Sequence, residues 1–282
     1  MVIKDRCAIS PPTQVTMPSG TQAIALRLPA VRGSAPGPYY QVQSSGHSTS
    51  IAVAPKTIIA FPTDAFTHCL QSPALQHSLQ IQLPEVATER SHNLATEGDI
   101  ERAAAVYLLH DVNLIIENLL INQLHIDAAK IECVGQSTTG TSRPDIKYTV
   151  NGKTFLVVEY KRTNALRDND WTHAALVKPG RTAEQIIKNI PKGVQTALTD
   201  NAGVVSKQAS KYSSQCGLVL LCNYQDTIVL DFTPGAHNAR WNDLTDPVKY
   251  FFSDGQRITH KQLLLAALVY GLRKVGVLGA NG

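Results

Sequence analysis

The stretch TFLVVEYKR, residues 154–162, constrains this chain more than any other. Successive side chains of a strand point to opposite faces, and here apolar residues fill both sets of positions. Such a strand belongs inside a sheet covered on both sides, which predicts an α/β fold: a mixed central β-sheet flanked by helices. The same strand then runs straight into Glu159, Tyr160, Lys161 and Arg162. Moving an ionised group into a low-dielectric interior costs several kcal/mol unless it is paired or metal-bound, so Glu159 and Lys161 require an explanation.

Glu159 and Lys161 lie two apart and share a face. Pro144 and Asp145 stand one hairpin arm earlier, across Asn151-Gly152. Three readings are open: a salt bridge among Asp145, Glu159 and Lys161, exposure at a strand end, or a shared site. Hairpin parity separates them. A plain two-residue turn at Asn151-Gly152 sets Asp145 against Val158 and sends Glu159 to the other face. A three-residue loop, Val150 to Gly152 with Gly152 left-handed, brings both carboxylates to one face, as does a bulge elsewhere in the hairpin. The bulged arrangement is the expectation, and a regular two-residue hairpin would count against a shared site. Two carboxylates beside a lysine suit a hard divalent cation such as Mg²⁺, which takes oxygen ligands and keeps waters that can act as nucleophiles.

Ten of the fifteen prolines precede residue 97, where charge is sparse and Ser, Thr and Gln are frequent. Residues 1–95 therefore read as an extension or small subdomain, mainly irregular or β, with two strands expected around a Ser/Gly turn within 39–62. Residues 96–282 form the second unit. It opens on a helix whose stripe runs through 105, 108, 112, 115, 116 and 119, with acids in the first turn. A strand at 129–135, the hairpin, a polar loop at 163–182 and helical patterns near 183–198 and 203–214 follow. Two strands, 216–224 and 226–232, and a helix near 259–275 complete the order.

The formal charge of +4 divides evenly, with six Lys/Arg against four Asp/Glu in residues 1–96 and twenty against eighteen thereafter. No basic tail announces a partner. The five cysteines are scattered and lack any paired spacing for zinc, which favours a reducing compartment. The start has no apolar signal region, and the run LLLAALVYGL at 263–272 is too short to span a bilayer. The expectation is an intracellular protein of cytoplasm or nucleus, neither secreted nor membrane-bound. The final helix, apolar around most of its circumference, is either buried or a subunit contact, which leaves a homodimer open.

At Pro144-Asp145 and Glu159-Tyr160-Lys161 the sequence resembles the PD-(D/E)XK nuclease superfamily, the restriction-endonuclease-like fold. The resemblance covers roughly residues 97–232. It implies an αβββαβ core and a metal-dependent nuclease that hydrolyses phosphodiester bonds, in DNA more than RNA. Asp145 and Glu159 would ligate Mg²⁺, with Mn²⁺ able to substitute and the Tyr160 carbonyl a further ligand. Lys161 would position or activate the attacking water. The first core helix would bring Glu101, with Glu97 the next choice, since Glu117 lies off the stripe. QASKY, Gln208 to Tyr212, resembles the QxxxY element of the exonuclease branch and would face the metal and the nucleic acid.

Residues 161–211 hold nine Lys/Arg against four Asp/Glu. Arg162, Arg181 and Lys211, with Arg167, Lys178, Lys188 and Lys207, are candidates for phosphate contacts, against the reading of a solvated helix surface. Trp171 and His173 either stack on bases or anchor the loop to the core. The alternative function is a catalytically silent nuclease-like module that binds nucleic acid or protein, because members of a fold can lose activity. A third reading, coincidence in an unrelated enzyme, would show as Asp145 and Glu159 on opposite faces.

Overall fold

The strand bearing TFLVV, β4 (Lys153–Tyr160), lies inside a seven-stranded mixed sheet in the computed structural model, as its pattern requires. The structure describes residues 17–43, 54–55, 57–60, 63–89, 91–135, 143–172, 185, 198–232 and 248–279. With β1 (Ile58–Ala60), β2 (Ile131–Gly135), β3 (Ile146–Val150), β5 (Leu218–Cys222), β6 (Thr227–Phe232) and β7 (Val248–Ser253), the strand order is β1-β7-β6-β5-β4-β3-β2. The β2–β3–β4 run is antiparallel, while β4 and β5 are parallel. A parallel pair needs a crossover, and the described part of it includes a helix, so helical mass is placed against the sheet. Phe155, Leu156, Val157 and Val158 are all buried.

The hairpin settles the parity question in an unexpected way. The turn has two residues, with Asn151 and Gly152 both left-handed at φ of 51° and 72°, so the three-residue loop does not form. Val150 pairs with Lys153 and Thr149 with Thr154, but Tyr148 then pairs with Leu156. Phe155 is therefore an extra residue, a bulge in β4 that shifts the remaining register by one. Ile146 consequently faces Val158, and continuing that register outward sets Asp145, just before β3, opposite Glu159.

Seven helices are described besides short 3-10 turns: α1 (Gly20–Ala25), α2 (Thr63–Leu70), α3 (Pro73–Ser78), α4 (Glu97–Gln123), α5 (Asn169–Thr172), α6 (Asp200–Ser210) and α7 (His260–Lys274). Thr96 starts α4 through a capping box, its hydroxyl accepting from the Asp99 amide while the Asp99 carboxylate accepts from the Thr96 amide. Two π-helical stretches, Ala105–Leu109 and Leu119–Gln123, widen the helix. The first rotates the stripe, so that Ala103, Ala104, Tyr107, Leu108, Val112, Ile115 and Ile116 are buried and Ala105 is exposed, against expectation. Though α4 is long and apolar enough to cross a membrane, this stripe packs into the core.

The final helix α7 is interior, with every residue from Leu263 to Val269 fully buried. A buried ion pair, Lys261 Nζ to Asp111 Oδ2 at 2.5 Å, ties it to α4. Residues before 96 contribute to the same structure: β1 pairs in parallel with β7, and Ile24, Phe66 and Leu75 join one continuous core. Of the two strands expected within 39–62, only β1 is present in the described residues; 44–53 lie outside them, as does nearly all of the helix expected at 183–198. β7 has no counterpart in the sequence reading.

Tyr148, on one face of the hairpin, donates to Asn113 of α4, while Glu159, on the other, accepts from Tyr212 just beyond α6. Helices thus cover both faces. Gly271 of α7 meets the bulge directly, since a Cβ placed there would come within 2.3 Å of the Phe155 carbonyl oxygen. Gly271→Ala is expected to lower stability by about 2–3 kcal/mol through this backbone clash. Gly276→Ala, at φ of 76° in open space, should cost only about 1–2 kcal/mol of backbone strain. Urea midpoints at unchanged slope measure both; a harmless Gly271→Ala would deny the close approach.

Candidate active site

The hairpin and bulge bring Asp145, Glu159 and Lys161 together at one end of the sheet. Asp145 Oδ2 accepts from the backbone N–H of Tyr160 at 2.6 Å, a charge-assisted bond across the two strands. Glu159 Oε1 accepts from Lys161 Nζ at 2.8 Å, and Glu159 Oε2 accepts from the Tyr212 hydroxyl, also at 2.8 Å. That hydroxyl also lies 3.2 Å from the Arg143 carbonyl, but its single proton belongs to the nearer, charged acceptor. The Lys161 side chain is only 4% exposed. An isolated ammonium so placed would be costly, and the Glu159 carboxylate is what makes it tolerable.

The electrostatics follow from this crowding. Burial raises the Asp145 carboxyl and the neighbouring Glu159 charge raises it further; the Tyr160 N–H and Lys161 oppose, and the result is about 7. Burial pulls the Lys161 ammonium down, but Glu159, Glu97 and Asp145 outweigh it and leave its pKa above the ordinary value. Burial, then Glu159, pushes the Tyr212 hydroxyl up, so it remains a donor. The first turns of α4 face this group: Glu101 adds to the rise at Asp145, and Glu97 acts on Lys161. These two glutamates are four apart on one helix face, which lets both act on the site.

The other residues singled out by sequence divide. Gln208 and Tyr212 share a side of α6 and the 3-10 turn that continues it; Tyr212 holds Glu159, and the buried Gln208 Oε1 has no partner among the described residues. Burial lowers the Lys211 ammonium, helped by Lys207 and Lys161 and opposed by Glu159, which places these cations around the carboxylate. Arg162 instead lies 4.6 Å over the Tyr40 ring and Arg167 4.2 Å over Tyr39. Trp171 is not free to stack on bases: it is fully buried and lies parallel to Tyr250 with centroids 5.4 Å apart. Arg181, Lys178, Lys188 and His173 fall outside the described residues.

Sequence reasoning missed the strap that crosses the loop after β4. Gly37 N donates to Asn164 Oδ1 at 2.7 Å, and Asn201 binds the segment through Val42 N at 2.8 Å and the Tyr40 carbonyl at 2.6 Å. The adjacent tyrosines 39 and 40 were the available signal, since paired aromatics in a polar segment need a partner surface. Compared with family models, curated proteins and solved structures, the chain matches none.

Among the described residues no three His, Cys, Asp or Glu side chains are grouped closely enough to hold a metal ion by themselves. Two carboxylates still fit Mg²⁺, which is commonly held by one or two with waters completing its shell. Burial, with the Glu159 charge beside it, raises Asp145 to about 7, and a cation there would relieve the repulsion between the two carboxylates.

Because the folded Asp145 carboxyl sits at about 7 and an unfolded one near 4, unfolding releases a proton between those values. Stability from this group is full below about pH 4 and is lost as pH rises through about 7. Asp145→Asn keeps the acceptor for Tyr160 and removes the titration. Relative to wild type, the metal-free variant should gain on the order of 2 kcal/mol between pH 4.5 and 8 after solvent screening. Urea unfolding across that range tests it, and a pH-independent difference would refute the assignment.

Proposed function

We propose that the chain is a metal-dependent nuclease of the PD-(D/E)XK superfamily, hydrolysing phosphodiester bonds in nucleic acid inside the cell, DNA ahead of RNA. The observation that carries this reading is the bulged register of the hairpin, which leaves Asp145 within reach of the Glu159 charge, with Lys161 bonded to Glu159. The element order supports it: α4, β2, β3, β4, α6, β5 is a helix, three strands, a helix and a strand, with β5 parallel to β4. That order supports the αβββαβ reading.

Asp145 and Glu159 would hold Mg²⁺, and the resemblance would add the Tyr160 carbonyl and Glu101, whose charge acts on Asp145. Bound there, the metal would supply an activated water and offset charge on the phosphate. Asp145 is the carboxyl that must lose its proton to become a ligand, so metal binding strengthens as pH rises through about 7. Lys161 has three N–H donors and spends one on Glu159, leaving others for the water or the phosphate. Tyr212 fixes Glu159 through Oε2, and Lys207 and Lys211 add positive charge beside it for the strand being cut.

A second reading, the catalytically silent module, has one observation in its favour. Both Glu159 oxygens are already engaged, by Lys161 and by Tyr212. Labelled single- and double-stranded DNA and RNA, incubated with Mg²⁺ or Mn²⁺, separate the two. Cleavage is expected from wild type, abolished by chelation and reduced about 100-fold or more in Asp145→Asn and in Lys161→Met. A folded wild type that binds Mg²⁺ yet cuts none of these substrates would establish the silent reading instead.

A further inference from the structure

The C-terminal ends of β4, β5 and β7 and the start of β6 lie at one edge of the sheet, the edge that carries Asp145 and Glu159. Along that edge, over β5 to β7, lies a cavity of about 940 Å³. Four segments distant in sequence wall it: the strap from Arg27 to Gly37, the loop at 164–169, the β5–β6 turn at 224–226 and the segment 251–260 leading into α7. Asn164 stands three residues after Lys161, so their Cα atoms are within about 11 Å of each other. The cavity therefore begins close to the proposed catalytic lysine.

Its wall is built rather than accidental. Tyr224 Oη donates to the Pro29 carbonyl at 3.0 Å, Gln225 Nε2 donates to the Ser34 carbonyl at 3.0 Å, and Gln225 Oε1 accepts from Asn164 N at 2.9 Å. These bonds consume the polar groups that hold the strap in place. Tyr224 is kept left-handed at φ of 75°, a conformation a bulky side chain avoids and one that recurs at ligand sites. What remains for a ligand is mixed in character. Asp226 has only a 3.5 Å contact from Asn223, Asp254 accepts from the Gln256 amide, and Arg27 and Arg257 are exposed at the rim. Tyr224 and Phe251 also line it, both nearly buried, the Phe251 ring packing on Phe66 with centroids 5.2 Å apart. Burial, with the charges of Asp254 and Asp168, holds the Asp226 carboxyl up to about 6, so a donor there relieves repulsion.

A nucleotide combines these complements: an anionic phosphate for arginine and N–H donors on its base edge for an acceptor-only carboxylate. We infer that this cavity binds one unpaired nucleotide, Asp226 accepting from an exocyclic amino group and the Arg27 and Arg257 guanidiniums meeting phosphate. Guanine, whose imino and amino donors are adjacent, fits a carboxylate best. This rests on the nuclease reading for its role, and makes the substrate a strand with an unpaired segment near the scissile bond.

Titration calorimetry on the full chain in EDTA, with guanosine monophosphate, uridine monophosphate and inorganic phosphate, tests the binding itself. Guanosine monophosphate should bind about tenfold or more tightly than the other two. Asp226→Asn should erase that preference, and Arg27→Ala, at an exposed position that leaves the fold intact, should weaken guanosine monophosphate and phosphate alike. A single-stranded oligonucleotide should displace the nucleotide and a blunt duplex should not. No binding at millimolar nucleotide, equal binding of uridine monophosphate, or indifference to both substitutions overturns the site; equal displacement by duplex overturns its claim on unpaired strands. Cleavage assayed in parallel separates the failures. Cutting without nucleotide binding removes the cavity alone, and nucleotide binding without cutting removes the nuclease reading alone.

Discussion

One extra residue in β4 governs the rest. Without Phe155 as a bulge, the tight Asn151-Gly152 turn would put Asp145 and Glu159 on opposite faces, and no shared site would exist. The turn and the bulge are opposite demands met in the same hairpin: the left-handed pair suits strand twist, and the bulge corrects the parity that the turn imposes. The cost appears across the sheet, in α7. The Phe155 carbonyl comes so close to that helix that position 271 has no room for a side chain, although glycine in a helix interior sacrifices about 1 kcal/mol against alanine. Helix composition, strand register and site geometry are thus one constraint.

The second dependence is electrostatic. Lys161 is buried at the end of an apolar strand and is held there by Glu159, which Tyr212 anchors in turn. Replacing such a pair with apolar residues often costs nothing or stabilises, so its presence is poor evidence of a purely structural purpose. Asp145 makes the point more sharply. Its carboxyl is held at about 7 by burial beside Glu159, and a fold selected for stability alone has little use for that repulsion. Positive charge beside Asp145 would relieve that repulsion.

Much of this was legible because it depends on local rules. The doubly apolar β4 announced an interior strand, the acids and Thr96 announced the start of α4, and Pro144-Asp145 with Glu159-Tyr160-Lys161 marked the site. The parity argument required a bulge either in the turn or elsewhere in the hairpin, and the second is realised, because Asn-Gly satisfies a two-residue turn by itself; nothing in TFL distinguishes the extra residue. The stripe of α4 was read with a uniform period, which the π-helical turn at Ala105–Leu109 breaks. β7, VKYFFS, carried a strand signal in its aromatic and β-branched residues but directly follows Pro247 and was passed over. Trp171 lay in a polar loop, and only its stack on Tyr250, far along the chain, shows it to be an anchor.

What sequence could not show is what long-range pairing creates. The strap around Tyr39 and Tyr40 means little until Asn164 and Asn201, more than a hundred residues later, hold it by backbone and side-chain bonds. Its tyrosines then cover Arg162 and Arg167, two cations that the sequence offered to phosphate. A guanidinium held over an aromatic face keeps its N–H donors, so these contacts position the groups without consuming their hydrogen bonds. The N-terminal segment therefore does more than cover the sheet: it sets the direction in which the loop after Lys161 presents charge. It also closes one wall of the cavity beyond Asn164. An apolar strand running into charge is explained locally by the Glu159–Lys161 pair, which makes a buried ammonium tolerable at its end.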